Sequence, residues 1–138
     1  MLLNNKISKI KDMFLVFDDP MDKYSQIIEL GKNNSGLKDY DKNDSTRIYG
    51  CTSLAWVKTT KEKKYYSIQI DSDTFIVRGL LNILQYIIDK SSKEDIFKLE
   101  IQRILNNIGL EESITSQRTN GFLSALDKIR NQIENYGK

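Results

Sequence analysis

Between Phe75 and Ile88 the sequence sets apolar side chains on most sides of a helix: Ile76, Val77, Leu80, Leu81, Ile83, Leu84, Ile87 and Ile88. A helix that is apolar nearly all round has to be covered by the rest of the chain, so this is expected to be the most buried element. Asp71-Ser72-Asp73 just before it is a helix-start signal. Arg78, Gly79, Asn82 and Gln85 break the apolar run, so it does not read as a membrane span.

The covering elements can be read on either side. Residues 5–17 form an amphipathic pattern through Ile7, Ile10, Met13, Phe14 and Phe17. Asp19 is placed to cap, and Pro20 to open, a second helix with Tyr24, Ile27, Ile28 and Leu30, for which Gly31 reads as the stop. Residues 32–46 are polar and turn-rich and read as a long surface loop. Arg47 to Tyr49 reads as extended, and Leu54–Thr60 and Tyr65–Ile70 as two strands. Tyr66, Ile68 and Ile70 alternate with Tyr65, Ser67 and Gln69, and Lys61-Glu62-Lys63-Lys64 is a charged connector. Ser91-Ser92 precedes a short helix with Ile96, Phe97 and Leu99 inward. Ile101–Ile108 continues as helix, ending at Gly109. A last helix starts near Asn120-Gly121, with Phe122, Leu126, Ile129, Ile133 and Tyr136 as its stripe. Strands grouped between helices define an α+β chain. Its 138 residues suit one domain spanning 1–138, with no repeat or linker dividing it.

Composition removes whole classes of chemistry. The chain has no histidine, which excludes catalytic triads, HExxH zinc sites and any imidazole base. Its single cysteine, Cys51, cannot supply an internal disulfide, a CxxC pair or a cysteine-rich metal site. Lys+Arg at 21 against Asp+Glu at 19 argues against a dedicated nucleic-acid binder. The start, Met1-Leu2-Leu3-Asn4-Asn5-Lys6, carries no targeting signal, and a lone thiol suits a reducing compartment.

Cys51 stands in Arg47-Ile48-Tyr49-Gly50-Cys51-Thr52-Ser53-Leu54-Ala55-Trp56-Val57. Gly50 permits a tight bend, and Thr52 and Ser53 offer small hydroxyl side chains. A single free cysteine is most often a small buried hydrophobe. A functional role needs thiolate, so either the free pKa of about 8.5 is lowered by an arginine, a lysine or a helix N-terminus, or a partner supplies the activation. Arg47, Arg118 and the helix start after Asp73 are the sources the sequence offers.

Four segments, in this order and spacing, resemble the SufE family of sulfur-acceptor proteins. They are Tyr24-Ser25-Gln26-Ile27-Ile28-Glu29-Leu30-Gly31; Gly50-Cys51-Thr52-Ser53 with Trp56-Val57; Asp71 through Leu81; and Ile114 through Phe122. The fourth departs from the family's usual Leu-Thr-Pro-Ser-Arg-Ser-Asn-Gly-Leu. Ser116 stands at the proline, Gln117 at a serine and Phe122 at a leucine, while Arg118, Asn120 and Gly121 remain.

The resemblance, from about Asn5 to Gln132, implies a sheet of about three antiparallel strands against several helices, a fold shared with IscU. It implies that Cys51 takes persulfide sulfur from a SufS-type cysteine desulfurase, a pyridoxal-phosphate enzyme. The acceptor would stimulate that enzyme and pass sulfur to a SufBCD-type scaffold, with no cofactor or metal of its own and no independent turnover. Gly50 and Ser53 would shape the cysteine loop, and Arg118 and Asp73 would lie close to it. Arg118 would stabilise a thiolate or persulfide, while Asp73 reads equally as an N-cap. Tyr24 and Trp56 read as core, and Glu29 as either a core polar group or a solvated charge. A cytoplasmic location (plastid stroma in a plastid-bearing host) and no membrane or nucleic-acid partner complete the expectation, with monomer and homodimer both open. Other readings are an activator that carries no sulfur, a single-thiol redox sensor and an IscU-like scaffold, which the missing further cysteines count against.

Overall fold

The structure, a computed structural model, describes residues 3–50, 53–110 and 113–136. Its elements run α1 (Leu3–Leu15), α2 (Pro20–Asn33), a 3-10 turn (Asp39–Asp41), β1 (Ala55–Glu62), β2 (Tyr65–Ser72), α3 (Phe75–Ile88), β3 (Ser91–Ser92), α4 (Lys93–Phe97), α5 (Ile101–Asn107) and α6 (Ser116–Asn135). The sheet is antiparallel in the order β1-β2-β3. This α+β fold has the sheet on one side of α3 and α2 on another, with α1 and α6 also against it.

The apolar run is the centre of the core, with Ile83, Leu84, Ile87 and Ile88 fully buried. Alternation in β2 buries Tyr66, Ile68 and Ile70, as the period of two requires. Asp19 caps α2 by accepting from the Met21 amide at 2.8 Å, with Pro20 as the first helical residue.

Several boundaries differ from the sequence reading. Gly31 does not end α2; the helix runs through it to Asn33. Gly31 is buried because the helices touch there. A Cβ on Gly31 would lie 2.0 Å from the Phe75 carbonyl oxygen, and one on Gly79 would lie 1.9 Å from that of Ile27. Asp71-Ser72-Asp73 does not cap α3 either. Ser72 pairs with Ala55 as the last residue of β2, and Thr74 occupies the N-cap. The Asp71 carboxylate is engaged by the Leu37 and Ser72 amides, by Lys42 and, through its side chain, by Arg78 of α3, and caps no amide of that helix.

Lys61 and Glu62 belong to β1, leaving Lys63-Lys64 as a two-residue turn with Lys63 at φ 59°. In α4, Ile96 is buried but Phe97 points outward, its ring flanked by Lys93 and Arg130. Tyr136 lies past the end of α6, half-exposed and edge-on to Tyr66 at 6.3 Å. Among the described residues no helix is long and apolar enough to cross a membrane.

Candidate functional site: a clamped loop

Two backbone bonds pin the chain before and after the cysteine segment. The Ile48 amide donates to the Ala55 carbonyl and the Val57 amide to the Thr46 carbonyl, each at 2.8 Å. Arg47 thus bridges Trp56, and the extended reading of Arg47 onward holds. These two bonds bracket positions 49–54 of the chain. Cys51 and Thr52 lie outside the described residues; the residues on either side of them are described.

Gly50 has φ +90°, a conformation that favours glycine. It also lies against α6, where a Cβ would come within 2.9 Å of Ser124 Oγ. On the other side, the Leu54 carbonyl accepts from Ser72 Oγ at 2.8 Å and from the Asp73 amide at 3.1 Å. The Ser53 and Thr74 hydroxyls are 3.1 Å apart in a hydrogen bond. The returning strand of the loop is therefore fastened to the turn between β2 and α3.

Arg118 sits in the first turn of α6, where Thr115 caps the helix by accepting the Arg118 amide at 3.3 Å. The helix begins at Ser116, four residues before the expected start. Ser116 and Gln117, read as altered loop positions, are thus helical and exposed. The Arg118 guanidinium lies 5.6 Å from the Tyr24 ring centre, a cation–π contact. It also helps line a small apolar pocket with Ile48 and Ala55, the two residues that anchor the loop. Val77, Leu80 and Leu81 of α3 and Phe122 of α6 complete the wall.

Ser53 is bonded to Thr74 and Leu54 to the Asp73 amide, Gly50 lies against α6, and Arg118 lines a pocket with Ile48 and Ala55. Asp73 is exposed and contributes its amide to the loop; it is not the N-cap. Tyr24 is half-buried against the core, and Trp56 is half-buried with Lys42 over its ring. Glu29 is exposed and paired with Lys32, the solvated alternative. Sequence reasoning did not single out Ser72, Thr74 or Ser124. Ser72 and Thr74 fall in a quoted segment, but nothing in the sequence marks their hydroxyls as loop partners. Among the described residues no group of three acidic or thiol side chains is arranged to hold a metal ion.

Ser53→Ala removes one neutral hydrogen bond, worth about 1 kcal/mol. The expected result is roughly fivefold faster alkylation of Cys51 by iodoacetamide. An unchanged rate would mean that the Ser53–Thr74 contact does not restrain the segment.

Fold and site together define a class: an α+β domain in which the residues flanking a single cysteine are fastened to the sheet and to the turn before α3. The chain belongs to the SufE family; residues 8–133 match the family described as "SufE: Fe-S metabolism associated domain". It is 34% identical over 132 residues to an uncharacterized SufE-like protein of Rhizobium etli, covering 93% of this chain and 89% of that one. An uncharacterized SufE-like protein of Rhizobium meliloti is 31% identical over 132 residues, covering 93% and 94%. The solution structure of a hypothetical protein from Thermus thermophilus superposes with a TM-score of 0.75 at 16% identity, covering 94% of this chain and 93% of that one.

Proposed function

We propose that this protein is a sulfur acceptor in Fe–S metabolism, with Cys51 as the accepting group. The observation that carries the reading is a family cysteine segment holding the chain's single cysteine, fastened at both ends. The donor is the persulfide of a SufS-type cysteine desulfurase. The Cys51 thiolate attacks the outer sulfur, the donor's S–S bond breaks, and the donor cysteine leaves as a thiolate. Cys51 becomes the persulfide with no net oxidant or reductant, as thiol exchange requires. A SufBCD-type scaffold receives the sulfur, and draining the donor persulfide stimulates the desulfurase.

Arg118 supports this reading from the base of the segment, where its cation favours a thiolate or persulfide anion. Asp73 acts through the amide that holds Leu54. The protein acts as a partner of the desulfurase and has no turnover of its own.

The test mixes the protein with an active cysteine desulfurase and L-cysteine and reads intact and peptide masses. One added sulfur on the Cys51 peptide is expected, absent in Cys51→Ser and without desulfurase. Desulfurase stimulation that survives Cys51→Ser with no added sulfur would replace the acceptor with an activator. The absence of both added sulfur and stimulation, with an active desulfurase, would overturn the reading.

A further inference from the structure

The outer edge of β1 is used over half its length and open over the rest. Ala55 and Val57 pair outward with Ile48 and Thr46. There the neighbouring chain turns away: the Thr46 and Arg47 amides bond the Asn43 carbonyl at 3.2 and 2.9 Å. The Thr46 hydroxyl donates to the Asp41 carbonyl at 2.6 Å. In the antiparallel register with β2, Thr59 and Lys61 fall in the same phase as Ala55 and Val57. Their N–H and C=O groups therefore point away from β2. Among the described residues, none of these four groups has a partner across this edge.

The open edge borders a groove whose walls include Asn43 and Ser45 on one side and Asn131, Gln132 and Asn135 of α6 on the other. Gln132 closes the used half of the edge, its Nε2 donating to the Val57 carbonyl at 2.8 Å and to that of Ser45 at 3.2 Å. Two side-chain atoms in this groove are buried with no partner: Gln132 Oε1 and the hydroxyl of Thr59, a residue only 8% exposed. Buried polar atoms ordinarily find partners, and an unmet pair beside an unpaired strand edge marks a place for an incoming polar chain.

The charge selects the occupant. Lys61, Lys63, Lys64 and Lys128 form no ion pair among the described residues, whereas Lys58 is neutralised by Asp41 at 3.1 Å. A second copy pairing edge to edge would set the Lys61 regions against each other, and like charges oppose that. We propose that the Thr59–Lys61 edge of β1 is a binding site for an extended acidic peptide segment of a partner protein, which adds as a further strand. Two residues of the segment, two apart, exchange four backbone hydrogen bonds with Thr59 and Lys61, while its carboxylates face the lysines. The site lies four to six residues along β1 from Ala55 and does not depend on sulfur transfer at Cys51.

The test is selection of a displayed random heptapeptide library on the full-length protein, followed by affinity and amide-exchange measurements with the enriched synthetic peptides. Acidic peptides that slow exchange at the Thr59 and Lys61 amides are expected. Their affinity should fall at least tenfold in Lys61→Pro, which removes an edge donor without touching the β2 ladder, and in Lys61→Glu, which keeps the backbone and reverses the charge. Three results would each overturn the proposal: no enrichment, enriched peptides that both variants bind as well as the parent does, or protection confined to the cysteine segment. Concentration-dependent dimerisation with protection of the same two amides would also overturn it, in favour of a second copy.

Discussion

Gly79→Ala is expected to cost more than about 3 kcal/mol, a drop in Tm of roughly 10 °C for a chain of this size. Helices α2 and α3 make the most extensive contact in the fold. At their crossing each helix presents a glycine to the other's backbone. A Cβ on Gly79 would sit 1.9 Å from the Ile27 carbonyl oxygen and 2.8 Å from its carbon. No side-chain rotation relieves a collision with backbone, so the helices must separate, and every pair packed along them loosens. Gly31→Ala strikes the same crossing, at the Phe75 carbonyl and the Gly79 amide. Once one substitution has parted the helices the other adds less, so the double variant should lose less than the sum of the two. Thermal unfolding of the three variants checks this; additive losses would mean that the glycines act separately.

Asp71→Asn is expected to destabilise the protein by about 3 kcal/mol, the usual cost of breaking a buried ion pair by removing one partner. The Asp71 side chain is 4% exposed. One oxygen accepts the Leu37 amide at 2.9 Å and faces Lys42 at 3.1 Å; the other accepts the Ser72 amide at 2.7 Å and Arg78 at 3.2 Å. Arg78 also donates to the Gly31 carbonyl at 2.9 Å, so this carboxylate ties the 34–42 segment, the end of β2 and the α2–α3 crossing together.

Burial by itself pushes the Asp71 carboxyl up, but the Leu37 amide, Lys42 and the Ser72 amide outweigh it and hold the pKa below the ordinary value. A lowered folded-state pKa means that the stabilisation is complete above the unfolded value, near 3.9, and is lost as pH falls through the folded value. The stability gap between parent and Asp71→Asn should therefore be constant near neutrality and narrow in acid below about pH 4. Denaturant titrations at stepped pH measure it. A gap that stays constant into strong acid would show that the carboxylate's charge contributes nothing.

The α+β class, the hairpin and the burial of the central helix were legible in the sequence because periodicity is a local signal. Phe97 and Tyr136 fit their stripes and still face outward, since a stripe says which side of a helix is apolar but not where its neighbours end. The family was legible through the four segments quoted from the sequence, and a family model matches residues 8–133. The hydroxyls of Ser72 and Thr74 were not, because a serine or threonine before a helix reads first as a cap.

By itself, the sequence determined the limits of the chemistry: with no histidine and one cysteine, any thiol chemistry has to use Cys51. It also determined the core, since the run from Ile76 to Ile88 has to be enclosed whatever surrounds it. Only the tertiary structure decided what Gly31, Asp71 and the β1 edge do. A glycine that ends a helix and one that lets two helices touch carry the same local signal, as do an aspartate that caps and one that binds two cations. The difference lies in partners up to 48 residues away along the chain, such as Phe75 and Gly79 for Gly31, and Leu37 and Lys42 for Asp71. Such contacts exist only once the helices and sheet have packed.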